Sequence, residues 1–101
     1  MPIFSRYHAD PDMAEIIAMF VAELPDRVLA MDEALQRGEY HQVQRLAHQV
    51  KGAGGGYGFD QITQSAAQLE TAAKASDRGP TIDALNAFRA VASECHAGGP
   101  P

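Results

Sequence analysis

Several features that mark particular classes of protein are scarce in this 101-residue sequence. It contains no tryptophan and a single cysteine, Cys95, so an internal disulfide is excluded and a reducing compartment is expected. No apolar run approaches the ~20 residues of a membrane-spanning helix. The first residues also lack the apolar segment of a signal peptide. We therefore expect a cytoplasmic protein that makes no contact with membranes.

Positive charge is scarce as well. The sequence contains eight Lys and Arg residues and 13 Asp and Glu residues, which give a formal net charge of −5. Nucleic-acid backbones, in contrast, are bound by basic surfaces. This balance argues against a nucleic-acid partner.

Metal and nucleotide motifs are also missing. No HExxH or CxxC spacing is present, and His41 and His48, about 10 Å apart along a helix, are too distant to share an ion without other elements. The glycine-rich run follows a helix, and Lys51 precedes it, so the nucleotide-binding loop patterns fail. We expect no metal site and no cofactor.

Amphipathic helices are what the sequence does contain. Hydrophobic residues make up 46% and charged residues 21% of the chain, an ordinary globular balance, and no strand-type alternation occurs. The first helix is predicted to begin at Asp10-Pro11-Asp12 and to bury a stripe of residues from Met13 to Leu35. The stripe keeps its phase across Pro25, which leaves one kinked helix or two helices nearly end to end.

Three further helices are predicted, over about Tyr40 to Gly54–Gly56, Asp60 to Ala75 and Thr81 to His96, with turns at Gly38, Gly58 and residues 77–80. Short connections between four amphipathic helices favour an all-α, up-down antiparallel four-helix bundle. We assign residues 10–97 to the bundle, residues 1–9 to a loosely held N-terminal arm and residues 98–101 to a disordered tail. No second apolar face is expected on the helices, which predicts a monomer.

The segment from Ala47 to Gly58 is the one that suggests a function. Read as a helix, it buries a stripe that includes Val50 and Gly54 and turns His48 roughly 140° away, toward solvent. The neighbours of His48 on this surface include Lys51, Gly52 and Gly55. Four helical glycines, at positions 52 and 54–56, would lower the stability of the helix by roughly 3–4 kcal/mol relative to alanine. A sequence optimised only for folding would not contain them. The alternative is that the helix stops at Lys51 and that His48 is an ordinary surface histidine.

These residues carry a family resemblance. Ala47-His48-x-x-Lys51-Gly52, followed by small residues up to Gly58, resembles the signature of histidine-containing phosphotransfer (HPt) domains, and the similarity covers about residues 10–95. The resemblance implies a four-helix bundle that acts as a phosphocarrier without a kinase or ATP site of its own. His48 would accept a phosphoryl group from the aspartyl phosphate of one receiver domain and pass it to another. A helical adaptor that only docks a signalling partner is the alternative.

The resemblance also implies roles for the neighbours of His48. Lys51 would stabilise the charge of the phosphoryl group, and Glu70 occupies the position from which the next helix can orient the imidazole; for Glu70 a solvated surface residue is the alternative. The expected receiver-docking face consists of Gly52, Gly55, Gln44, Arg45 and His41. For His41 we favour an ordinary surface histidine. Any Mg²⁺ would belong to the acidic pocket of the partner.

Overall fold

The computed structural model describes all 101 residues. Four helices form most of the chain: α1 (Ala14–Gln36), α2 (Tyr40–Gly56), α3 (Asp60–Lys74) and α4 (Arg78–Glu94). Two short strands, β1 (Ile3–Phe4) and β2 (Cys95–His96), flank them. The predicted all-α four-helix bundle is confirmed. No helix combines the length and the apolar character needed to cross a membrane.

The core is one cluster of buried apolar side chains to which all four helices contribute. The predicted stripe of α1 is buried at Ile17, Phe20, Leu24, Met31 and Leu35. Helix α1 runs without a break through Pro25, so the alternative of two separate helices is wrong, and the kink stays a prediction. Gly38, with φ +71, follows the last residues of α1 as predicted.

Helices α1 and α4 differ from the prediction in their boundaries. Helix α1 begins at Ala14, because Asp10 caps a turn that precedes it: the Oδ1 atom of Asp10 accepts the N–H of Asp12 at 2.9 Å. Helix α4 begins at Arg78 and ends at Glu94, so the predicted turn over residues 77–80 is wrong. Pro80 lies in the first turn of α4, where its missing N–H would have no helical partner.

The turn between α2 and α3 is built around Gly58, which has φ +83. The N–H of Gly58 donates to Gly55 at 3.3 Å and that of Phe59 donates to Gly54 at 2.8 Å, which together form a Schellman helix end. A Cβ atom on Gly58 would lie 2.6 Å from Oγ of Ser5. The predicted turn at Gly58 is confirmed, and the N-terminal arm packs directly against it.

Residues 3–6 of the arm are held firmly against the bundle. Strand β1 pairs in parallel with β2, with Ile3 opposite Cys95. Ser5 is buried, and the guanidinium of Arg6 donates to both carboxylate oxygens of Asp60, at 2.7 and 2.8 Å. The expectation of a loosely held arm is therefore wrong for these residues. The sequence did not reveal the contact, because a two-residue strand is too short to produce a visible alternation of apolar and polar residues.

Helix α1 also exposes apolar side chains on its outer surface. Ile16, Met19 and Leu29 are 40%, 57% and 54% exposed. Single exposed apolar side chains are normal on a protein surface, and these three do not make up the second apolar face whose absence was expected. The monomeric state that was inferred from that absence stays a prediction.

Candidate functional site

His48 lies on the solvent side of α2. The opposite side of this helix is buried at Val43, Ala47, Val50 and Gly54, and the His48 side chain is 67% exposed. Helix α2 continues to Gly56, so the alternative in which it stops at Lys51 is wrong. The glycine-rich segment is thus helical despite its low intrinsic propensity.

The carboxylate of Glu70, on α3, contacts two side chains of α2. Its Oε2 atom lies 2.8 Å from Nδ1 of His48, and its Oε1 atom accepts a hydrogen bond from Nζ of Lys51 at 2.6 Å. The Glu70 side chain is 20% exposed, at the edge of the contact between the two helices. One carboxylate therefore holds both the imidazole and the ammonium group.

This arrangement fixes the tautomer of His48. The hydrogen bond from Lys51 is the largest cause that lowers the pKa of Glu70, and the hydrogen bond with His48 lowers it further, against the opposing effect of burial. The carboxylate is ionised at neutral pH and can only accept hydrogen bonds. Nδ1 of His48 must therefore carry the proton, which leaves Nε2 of the neutral ring with a free lone pair.

Helices α2 and α3 approach closely beside this site. A Cβ atom on Gly54 would lie 2.6 Å from Cγ2 of Ile62, so only glycine allows the observed spacing. The hydroxyl of Thr63 donates to the backbone carbonyl of Lys51 at 3.0 Å. Helical periodicity predicted that Gly54 lies on the buried stripe, but no role was predicted for Thr63. The available signal was its position seven residues before Glu70, on the same face of α3.

The two glycines of the expected docking face differ in their surroundings. A Cβ atom on Gly52 would have nothing within 4 Å, whereas one on Gly55 would lie 3.5 Å from Oγ1 of Thr63. Gly52 thus leaves the surface near His48 bare. Gly55 lies at the contact between α2 and α3.

The remaining residues of the expected docking face lie around His48. A shallow depression of about 360 Å³ is lined by His41, Gln44, Arg45, His48 and Glu70. Arg45 donates to the side-chain oxygen of Gln42 at 2.6 Å, which holds its guanidinium on the surface of α2. Helix α2 itself contains no Asp or Glu, and the charge of Glu70, which lines the depression from α3, is offset by Lys51 at 2.6 Å. Arg45 then leaves the depression with a small positive charge in a chain of net charge −5. No three His, Cys, Asp or Glu side chains are grouped so that they could hold a metal ion.

A four-helix bundle that presents an exposed imidazole, hydrogen-bonded through one nitrogen and free at the other, has the architecture of a histidine phosphocarrier. The family model of the Hpt domain matches residues 15–97, and the chain belongs to the Hpt domain family. Members of this family are phosphocarrier modules of phosphorelays and interact with receiver domains of response regulators. Neither a curated protein nor a solved structure matches the chain.

Proposed function

We propose that Nε2 of His48 accepts a phosphoryl group from the aspartyl phosphate of one receiver domain and passes it to a second receiver. The observation that carries this proposal is the 2.8 Å contact between Nδ1 of His48 and Glu70. Because Nδ1 donates its proton to the carboxylate, Nε2 has a lone pair, and the ring that carries it is exposed to a partner.

The chemical step needs no base. The Nε2 lone pair attacks phosphorus, the N–P bond forms, and the P–O bond of the acyl phosphate breaks, so that the aspartate carboxylate leaves with its electron pair. Nε2 has no proton to lose, and the ring becomes positively charged. The Glu70 carboxylate, next to the Nδ1–H group, stabilises that charge. Transfer to the second receiver reverses these changes on another carboxylate.

We propose that Lys51 stabilises the negative charge of the phosphoryl oxygens. Phosphoryl transfer depends mainly on positioning and charge, and Lys51 lies one turn from His48 with its ammonium on Glu70, 2.6 Å from Oε1. Its flexible stem allows the ammonium to move from the carboxylate to the new phosphoryl group.

The docking face is assigned to the depression around His48 and to the bare surface at Gly52. Its positive charge comes from Arg45 and, once the ammonium leaves Glu70, from Lys51. This charge suits the acidic pocket of a receiver, which would also supply Mg²⁺. Gln44 and His41 line the same depression. We propose a cytoplasmic monomer that has no kinase activity or ATP site of its own.

The test is incubation with a phosphorylated receiver domain, followed by analysis of the label. Wild-type protein should acquire an acid-labile, alkali-stable phosphoryl group. His48→Gln should abolish labelling without changing helicity, measured by circular dichroism, while His41→Gln should retain it. Labelling that survives in His48→Gln rules out the assignment, and receiver binding without any label supports the adaptor alternative.

A further inference from the structure

We propose that Thr63 is a positioning residue for the phosphoacceptor site. Its hydroxyl holds the backbone of Lys51 against α3, so that the carboxylate of Glu70 meets Nδ1 of His48 and Nζ of Lys51 together. This inference rests on the proposed function of His48, because it concerns the geometry that prepares Nε2 for transfer.

The first observation is the direction of the Thr63 hydroxyl. Serine and threonine inside a helix commonly bond to the carbonyl four residues back. Two neighbours on α3 do this: Ser65 donates to Gln61 at 2.7 Å and Thr71 donates to Ala67 at 3.0 Å. Thr63 instead donates across to α2, to the carbonyl of Lys51 at 3.0 Å. The hydroxyl therefore joins two helices rather than one turn of its own.

The second observation is that both the backbone and the side chain of Lys51 bond to α3. Its carbonyl accepts from Thr63 and its ammonium donates to Glu70. Thr63 and Glu70 are seven residues apart, about 10 Å along the same face of α3. Sliding or rotation of α2 on α3 would disturb both contacts, and the Thr63 bond is the less adaptable one because it holds the backbone of Lys51 rather than its flexible stem.

The third observation is the weakness of the helix that follows. Beyond Lys51, α2 continues with Gly52, Ala53 and three more glycines, whose backbone is conformationally permissive. The contact of Gly54 with Ile62 is apolar and therefore has little directional preference. A directional hydrogen bond from Thr63 fixes the Lys51 backbone at the point where the glycine-rich segment begins.

The experiment compares three substitutions in the full chain. Thr63→Val keeps the shape and removes the hydroxyl, Thr63→Ser keeps the hydroxyl, and Thr71→Val removes a hydroxyl that bonds only within α3. One readout is the tautomer of His48, from the ¹⁵N chemical shifts of its ring in the unphosphorylated protein. The other is the rate of transfer from a phosphorylated receiver domain.

We expect Thr63→Val to lower the fraction of the ring with its proton on Nδ1 and to slow transfer by roughly 3- to 10-fold, because small displacements of reacting groups have large kinetic effects. Thr63→Ser and Thr71→Val should remain within about twofold of wild type on the same reasoning. In a Glu70→Ala background Thr63→Val should cause no further loss, because Thr63 acts through that contact.

The inference is overturned if Thr63→Val behaves like Thr71→Val, if Thr63→Ser is as impaired as Thr63→Val, or if the loss persists in the Glu70→Ala background. Failure of the proposed function has a different signature, namely wild-type protein that takes no label on His48. The ring tautomer still tests Thr63 in that case, since it is measured without phosphate.

Discussion

Glu70 presents two carboxylate oxygens to two donors of unlike chemistry. Lys51 holds Oε1 at 2.6 Å, and the imidazole of His48 holds Oε2 at 2.8 Å. While the ammonium remains in place, it offsets part of the carboxylate charge that the ring experiences. Movement of Lys51 to a phosphoryl group would leave the whole charge of Glu70 to the newly cationic ring. His48 and Lys51, both on α2, are thereby coupled through Glu70 on α3.

Substitution of Glu70 should make stability less dependent on pH. The folded-state pKa of Glu70 lies below its ordinary value of 4.5, so its contribution is complete above the unfolded-state pKa and is lost as the pH falls through the lower, folded pKa. We expect Glu70→Gln to lower the free energy of unfolding by about 1 kcal/mol at pH 7. Urea denaturation should show this difference shrinking as the pH falls below 4.5; a difference that stays constant contradicts it.

The sequence located some of the residues around His48 and missed others for a physical reason. Lys51 and Gly52 share a helix with His48, so their spacing alone predicts that they are neighbours. The placement of Glu70 came from the family resemblance. The bond between Lys51 and Glu70, and that between Thr63 and the Lys51 carbonyl, depend on how two helix faces meet, which helical periodicity does not specify.

At the scale of elements, the glycines of α2 divide into those that the packing requires and those that it does not. We expect Gly54→Ala to lower the free energy of unfolding by roughly 1–3 kcal/mol, because its Cβ atom would lie 2.6 Å from Ile62. Gly52→Ala is the matched control, since its Cβ atom has nothing within 4 Å. It should raise stability by up to about 1 kcal/mol through helix propensity. Equal effects of the two substitutions in chemical denaturation would contradict this account of the helix contact.

The N-terminal arm should stabilise the turn between α2 and α3. The buried hydroxyl of Ser5 donates to the carbonyl of Tyr57 at 2.5 Å and accepts the N–H of Tyr7 at 3.0 Å. We expect Ser5→Ala to cost roughly 1–2 kcal/mol, because both backbone groups lose a partner. Amide hydrogen exchange should quicken in residues 55–60.

The matched control for the arm is Ser93→Ala. The Ser93 hydroxyl is exposed and bonds only within its own helix, to Ala90 at 2.7 Å. Its loss should change stability by less than about 0.5 kcal/mol. If hydrogen exchange at the turn responds equally to both substitutions, the arm does not hold that turn.

The helices themselves could be predicted better than their ends. Each of the four has a strong apolar stripe, and all four exist. Asp10 and Pro80 carried ordinary boundary signals, yet Asp10 caps a turn before α1 and Pro80 lies inside α4. Such signals fit a turn and a first helical turn equally well, so tertiary contacts decide between them. The pairing of β1 with β2 joins the N-terminal and C-terminal segments of the chain, and no local pattern predicts a contact at that sequence separation.

At the scale of the whole molecule, charge is distributed unevenly among the helices. Helix α1 carries five acidic residues, Glu15, Glu23, Asp26, Asp32 and Glu33, against one basic residue, Arg27. Helix α2 carries Arg45 and Lys51 and no acid. Most of the net charge of −5 therefore comes from α1, whose five acids and one base give −4, and not from α2. Such an asymmetry orients an approaching acidic partner toward α2.

The reactivity of the Cys95 thiol can report whether β1 separates from β2. Cys95 lies in β2 opposite Ile3, is 7% exposed, and burial, followed by the charge of Glu94, raises the pKa of its thiol from 9.0 to about 11. Because the folded pKa is the higher one, the neutral thiol is favoured by the fold. This contribution to stability is complete below pH 9.0 and is lost as the pH rises toward about 11.

The pKa difference predicts slow alkylation of Cys95 in the native protein. The thiolate is the reactive form, and a pKa of about 11 instead of 9.0 makes the thiolate about a hundredfold rarer at pH 8. Iodoacetamide should therefore label native protein at least about a hundredfold more slowly than protein in concentrated urea. If Ser5→Ala accelerates native labelling more than its loss of global stability explains, the arm opens on its own. Native labelling at the rate of the unfolded chain would show that β1 does not cover the thiol.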